Sequence, residues 1–233
     1  MGNLNWLTAH TRLARPFMAR LYQSNTINVH DKYVEHALNS TLTVAVAPAA
    51  VTRGIAPFLG LPPTAPYLYV DAAKSTGIAC VVYIGQHSSW SHRTLVPPQY
   101  AHSQQLCELF GYLFALHFLL RENIPEAILV GDNNGGLQTL YTLRTPSRNH
   151  RKLHLSQRVS RAIAKLKALV HIRWCSTGTM LADCGSRNFV EPIGVRSSYS
   201  DALHARGCRY IHTDPDPAFY LVPRFRLRSA SRF

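Results

Sequence analysis

The stretch YLYVDAAKSTGIACVVYIG, residues 67–85, decides how this chain is read. β-branched and aromatic residues fill two short runs, YLYVDA and GIACVVYIG, and Gly77 with its polar neighbours separates them, which predicts two strands joined by a tight turn. Asp71 ends the first run among apolar neighbours. Trp90 to Val96 predicts a third strand, so the region opens as an antiparallel meander. Leu106, Leu109, Leu113, Leu116 and Leu120 then recur at helical spacing and predict a helix over about 102–121, ended by Asn123 and Pro125. AILVGD (127–132) predicts a buried strand, GGLQTLYTL (135–143) a short helix, residues 151–168 a longer helix, and LVHIRWC (169–175) a last strand. Three strands, helix, strand, helices, strand, helix is the order of an α/β sandwich on a mixed sheet.

Outward from this region the character changes. Residues 1–39 predict helices, through LNWLTAHTRLARPFMARLYQ (4–23) and HDKYVEHAL (30–38), whereas prolines at 48, 57, 62, 63 and 66 exclude a continuous helix across residues 40–66. The expected organisation is therefore a helical segment with a Pro-rich linker (1–66), a central domain (67–188) and a basic tail (189–233) ending in PRFRLRSASRF, which is expected to be poorly ordered. With 46% hydrophobic and 16% charged residues the chain has material for a core. No apolar run reaches the roughly 18 residues that span a bilayer. LFGYLFALHFLL from Leu109 is shorter and holds His117. Five cysteines without a CxxC pair signal neither a disulfide framework nor a zinc knuckle, and Cys184, His204, Cys208 and His212 do not follow a known ligand spacing. Arg12, Arg15 and Arg20 with no acid before Asp31 resemble a transit peptide in composition, as would an amphipathic helix of a larger polypeptide. The expected location is intracellular, cytoplasmic or nuclear.

Lys and Arg number 25 against 12 acids, a formal net charge of +13, so an anionic partner is expected. Scarce acids make their positions informative. Asp71 and Asp132 end apolar strands, Glu108 lies inside an apolar helix, and Asp183 follows the last strand by a short loop in MLADCGSR (180–187). Singly, each has a structural reading: Asp71 and Asp132 as strand-end turn residues, Asp132 as a helix N-cap, Glu108 as partner of an Arg at the edge of the core, and Asp183 as cap of a helix beginning at Cys184, in contact with Arg187. Jointly, four converging carboxylates would repel one another and be costly to bury unless cations joined them. Oxygen donors without His or Cys suit Mg²⁺ or Mn²⁺, and two such ions roughly 4 Å apart activate water and stabilise the leaving oxygen of a phosphodiester. The residues themselves thus point to metal-assisted phosphodiester hydrolysis.

In their order, YVDAAKSTGIACVVY (69–83), SQQLCELFGYLFAL (103–116), AILVGDNNGGL (127–137) and VHIRWCSTGTMLADCGSR (170–187) resemble the ribonuclease H domain of retroelement reverse transcriptases. The AD-x-x-SR word of Ala182, Asp183, Ser186 and Arg187 is the part most specific to retroelements. The resemblance covers residues 67 to about 188. It implies a ribonuclease H-like fold, a five-stranded mixed sheet flanked by helices, here with an N-terminal helical extension and the basic tail. It further implies Asp71, Glu108, Asp132 and Asp183 as catalytic, metal-binding carboxylates for two Mg²⁺ ions, and an RNA–DNA hybrid whose RNA strand is cut. Asn133, Ser186 and Arg187 match positions near that site. Leu181 replaces a Pro that often precedes the AD pair, and the STGTM loop lacks the His that cellular relatives carry there, which implies slow turnover. The segment between Asp132 and Asp183 is also too short for the extra basic helix of bacterial relatives. Residues 4–23 look like the segment joining polymerase to ribonuclease H in DIRS-type elements and hepadnavirus polymerases. No adjacent Asp pair occurs in the chain, so the polymerase palm is absent and a reverse transcriptase polymerase domain or subunit is an expected partner.

Residues 67–187 hold 13 Lys and Arg against 6 acids. On the helix after Arg151, His154, Arg158, Arg161 and Lys165 share one side while Leu155, Val159, Ile163 and Leu166 share another, which predicts a phosphate-facing surface read by shape rather than by sequence. The alternative to an enzyme is a non-catalytic nucleic-acid-binding module that keeps the same fold; a capsid-type packaging protein is a third reading. Four intact carboxylates favour the enzyme, because a binding module gains nothing from acids beside phosphate.

Overall fold

The computed structural model describes residues 12–21, 39, 54–57, 65–85, 89–145, 149–166, 168–187 and 209–210. In chain order these form a 3-10 turn (Arg12–Ala14), α1 (Arg15–Leu21), β1 (Gly54–Pro57), β2 (Tyr67–Ala73), β3 (Ile78–Ile84), β4 (Ser89–Leu95), α2 (Gln104–Arg121), β5 (Glu126–Gly131), α3 (Asn134–Thr142), α4 (His150–Lys165), β6 (Leu169–Trp174), a second 3-10 turn (Thr177–Thr179), α5 (Asp183–Ser186) and β7 (Arg209–Tyr210). The sheet order is β1-β6-β5-β2-β3-β4-β7. β2, β3 and β4 form the expected antiparallel meander, while β5 joins β2 and β6 joins β5 in parallel. Five mixed strands, β6-β5-β2-β3-β4, thus make the body. Two short edge strands add to it: β1, from the Pro-rich stretch, pairs parallel with β6, and β7, from the expected tail, pairs parallel with β4. The helix expected over 30–38, most of the linker and the rest of the tail lie outside the described residues, as do His204, Cys208 and His212.

Side chains alternate across the strands, and the two sides of the sheet are covered differently. Leu68, Val70, Ala72, Ala79, Val81, Ala127, Leu129 and Val170 pack beneath α2, α3 and α4 in the main core. On the opposite side Cys80 and Val82 meet Met180 and Ala182, beside Tyr69. Asp71, between Val70 and Ala72, therefore points away from the main core. Gly111 lets α2 approach the sheet closely: a Cβ there would lie 3.2 Å from Val70 and 3.5 Å from Ala72. Asparagines start the other two helices, as sequence rules favour: Asn133 accepts from Gly136 N–H (2.8 Å) and Asn149 from Lys152 N–H (2.9 Å).

The segment at 12–21 is joined to the body rather than set apart from it. Leu13, Ala14, Phe17 and Met18 are buried, with Leu13 and Phe17 in the main core. Ser160 Oγ donates to the Leu13 carbonyl, Gln157 Nε2 to the Pro16 carbonyl (3.1 Å) and Arg15 to the Thr142 carbonyl (3.1 Å). The Arg161 guanidinium lies over the Phe17 ring at 5.0 Å. Arg161, expected on the phosphate-facing side of this helix, is half-buried and lays its cationic stem over an apolar ring, as such stems do wherever the tertiary structure brings one to them.

Candidate active site

The β2–β5 ladder ends at the Tyr69–Val130 pair. Two residues beyond that pair in the chain, at the same height and where the strands part, stand Asp71, within β2, and Asp132, just after β5. The helix α2, held on β2 through Gly111, adds Glu108 from the other side of the sheet. Carboxylate oxygens of Asp71, Glu108 and Asp132 all lie within 4.8 Å of one another. Asp71 and Glu108 are buried and Asp132 is half-buried.

Each carboxylate is oriented by a neighbour. Ser186 Oγ, from α5, donates to Asp71 Oδ2. Gln104, one turn before Glu108, donates through Nε2 to Glu108 Oε1 (2.7 Å) and to the Ala72 carbonyl (2.7 Å), tying α2 to β2. Thr177 Oγ1 donates to Asp132 Oδ2 at 2.8 Å, so the loop that lacks a His still places a donor on this acid. Trp174 Nε1 donates to the Asp132 carbonyl (2.7 Å), and Cys175 N–H to the Gly131 carbonyl (3.0 Å), fixing the chain on both sides of that peptide. Asp132 is not a helix N-cap, because Asn133 fills that position.

Asp183 stands outside this group of three. It is the first residue of α5, and its Oδ1 accepts from Arg187 Nε at 2.7 Å, an i,i+4 ion pair. Its charge still reaches the cluster. Burial, followed by the charges of Asp132 and Asp183, raises the Asp71 carboxyl above its ordinary range against the Ser186 hydrogen bond. Burial and then Asp71 raise the Glu108 carboxyl to about 8. Glu108 has no cationic partner among the described residues, and its Oε2 is buried without a hydrogen bond. That orphaned acceptor, beside two more carboxylates, fits a divalent cation: the donors are hard oxygens with no His or Cys among them, and a cation removes the mutual repulsion. Thiol chemistry is disfavoured, since burial pushes Cys80 up to about 12 and Cys107 up to about 11.

Tyr112, one turn beyond Glu108, fills the space under the loop. Its ring lies 2.9 Å from where a Cβ on Gly136 would be, and its hydroxyl, buried without a hydrogen-bond partner, is closer still to where a Cβ on Gly131 would be. Gln104 and Tyr112 were not singled out from the sequence, although their i±4 spacing from Glu108 was a readable signal. Thr177 and Trp174 carried none, because their contacts depend on the β5–β6 register, in which Gly131 pairs with Trp174.

Of the other expected contacts, Asn133 is occupied in capping α3 and Arg187 in holding Asp183. Half-buried Arg158 and exposed Lys165 flank His117, whose imidazole is lowered to about 4 by burial and then by these two cations. His117 is nine residues along α2 from Glu108, about 13 Å. Nearer the acids, exposed Arg151 donates to the His102 ring (2.8 Å to Nε2), His154 Nδ1 meets the Tyr100 hydroxyl (2.8 Å), and Lys74 N–H donates to Gln104 (3.0 Å). Arg187, whose charge is felt by Asp183, Asp71 and Asp132, stands at the site itself, with Lys74 in the β2–β3 turn and Arg151 at the start of α4.

An antiparallel three-strand meander, a helix, and two parallel strands added beside β2, with one acid within β2 and one just after β5, settle the architecture. The fold is ribonuclease H-like. No protein-family model matches the chain, and no curated protein matches it. Among solved structures it is similar to the N-terminal RNase H domain of Rv2228c from Mycobacterium tuberculosis, at 13% identity over 62% of this chain and 99% of that one, with a TM-score of 0.43. RNase H1 from the archaeon Halobacterium salinarum NRC-1 is similar at 14% identity over 54% of this chain and 97% of that one, with a TM-score of 0.40. No described helix is long and apolar enough to cross a membrane.

Proposed function

We propose that this protein is a divalent-metal-dependent ribonuclease that hydrolyses the RNA strand of RNA–DNA hybrids. The observation that carries the reading is the convergence of Asp71, Glu108 and Asp132 where β2 and β5 part. Two Mg²⁺ ions, or Mn²⁺, would be held by these three acids, with Asp183 at the rim. When bound, such ions supply the charge that stabilises the attacking and leaving oxygens of a phosphodiester. The protein's own residues orient the ligands: Ser186 on Asp71, Gln104 on Glu108, Thr177 on Asp132. Arg187 restrains Asp183 and places positive charge beside the position of a substrate phosphate. Lys74 and Arg151, the latter donating to the His102 ring, form the cationic approach to the site, and recognition of the hybrid is by backbone and shape.

The AD-x-x-SR word and the order of the four motifs support a further assignment, to the ribonuclease H part of a retroelement reverse transcriptase acting inside the cell with a polymerase domain or subunit. A genomic locus lacking any polymerase frame would refute that assignment. The domain limits proposed are 1–66, 67–188 and 189–233, with residues 12–21 docked on the central domain.

The ion pair of Asp183 with Arg187 favours a second reading, a hybrid-binding module that no longer turns over. One assay separates the two: a labelled RNA–DNA hybrid with Mg²⁺ or Mn²⁺, beside duplex RNA, duplex DNA and Asp132→Asn. Metal-dependent loss of the RNA strand in the hybrid alone, absent in the variant, is the expected result. Binding without cleavage under both metals would replace the enzyme by the module.

A further inference from the structure

Trp174 is the last residue of β6 and is 53% exposed; with Leu95 it makes up the exposed large hydrophobics among the described residues. It lies beyond Pro57–Ile172, the last β1–β6 pair among the described residues. On the other flank it pairs with Gly131, directly before Asp132. Its single hydrogen-bonding group is already used, Nε1 donating to the Asp132 carbonyl at 2.7 Å. What remains for a ligand is the flat π-surface, held at a fixed place on the peptide that carries a cluster carboxylate. Arg173 and the 3-10 turn Thr177–Thr179 beside it are also exposed. A large exposed aromatic whose polar edge is satisfied and whose position is pinned to a catalytic loop suits a flat partner presented beside phosphate.

We propose that Trp174 is a stacking subsite for a nucleobase of the bound nucleic acid, at the mouth of the acidic cluster. The inference rests on the nucleic-acid reading of that cluster. Base stacking on an aromatic is worth roughly 1–3 kcal/mol, which is about 5- to 150-fold in affinity. The subsite supplies affinity and register for a substrate that is otherwise held through its backbone.

The test measures hybrid binding in EDTA, where metal-dependent cleavage is silent, for the full chain, Trp174→Phe and Trp174→Ala. Hybrids with one abasic position moved along each strand provide the second axis, and cleavage in Mg²⁺ is followed on the same preparations. Trp174→Ala is expected to lose about 5- to 150-fold in affinity. Trp174→Phe, which keeps a ring but no N–H, is expected to stay within about threefold of the parent. One abasic position is expected to weaken binding to the parent and to have no further effect in Trp174→Ala. Equal loss in both variants with no abasic position distinguished overturns the proposal in favour of the indole N–H bond to Asp132. Unchanged affinity in Trp174→Ala overturns it too, including the case where the exposed ring serves a protein partner. If the unaltered chain neither binds nor cuts the hybrid, the functional reading itself fails, an outcome distinct from either of these.

Discussion

Glu108→Gln should stabilise the metal-free protein near neutral pH while removing its response to divalent cations. Glu108 is 3% exposed, its Oε1 is engaged by Gln104, and its Oε2 has no donor. Burial and the neighbouring Asp71 place the carboxyl at about 8 in the folded protein, against 4.5 for the ordinary group. The folded state thus holds the proton more tightly than the unfolded state, so stability is greatest below pH 4.5 and falls as pH rises toward 8. At about 1.4 kcal/mol per tenfold in proton affinity, the cost is about 3 kcal/mol at pH 7 and approaches 5 kcal/mol above pH 8. Glutamine keeps the acceptor for Gln104, carries no charge, and offers an amide donor toward Asp71 and Asp132. Urea or thermal unfolding in EDTA at pH 4.5 and 7.5 measures the difference. The variant should match the parent at pH 4.5 and exceed it by about 4 kcal/mol at pH 7.5, on the order of 10 °C for a domain of this size. Mg²⁺ should then stabilise the parent increasingly with pH and leave the variant unmoved. A stability gap that is the same at both pH values, or a variant that Mg²⁺ still stabilises, would refute the assignment of Glu108 as a buried metal ligand.

Asp132→Asn should abolish hybrid cleavage and leave binding in EDTA unchanged or tighter, because a repulsion with phosphate is lost; retained activity would show that the site lies elsewhere. Gly131→Ala should destabilise by about 1–3 kcal/mol, since its methyl meets the Tyr112 hydroxyl, and Tyr112→Phe in the same chain should recover part of that loss in a denaturant titration. Phe17→Ala should cost about 3–5 kcal/mol although it lies far from β2 in the chain, and loss of the Arg161 stacking should accompany it; an unchanged unfolding midpoint would mean that residues 12–21 do not belong to the folded body. Hybrid affinity should fall steeply between low and moderate salt, and Arg151→Ala should flatten that slope by about one contact while leaving thermal stability nearly unchanged, as binding titrations at several ionic strengths would show.

Much of the fold could be read from local pattern, because each signal was complete within a few residues. β-branched and aromatic runs in 67–73 and 78–84, leucines at helical spacing in 104–121, and asparagines opening α3 and α4 each specify their element without reference to the rest of the chain. Single acids in apolar runs were legible for the same reason, since burying a charge among aliphatic residues is costly enough to require a purpose. Tertiary structure decided everything that depends on register or on a partner distant in sequence. It set Asp71 and Asp132 at one height through the Tyr69–Val130 pairing, laid Arg161 over Phe17, and added β1 and β7 at the sheet edges. It also brought Trp174 to the Asp132 peptide and Tyr112 beneath Gly131. Side-chain type and period are properties of a short window, whereas which groups share a desolvated volume follows from long-range packing, and it is that shared volume that turns isolated acids into a site.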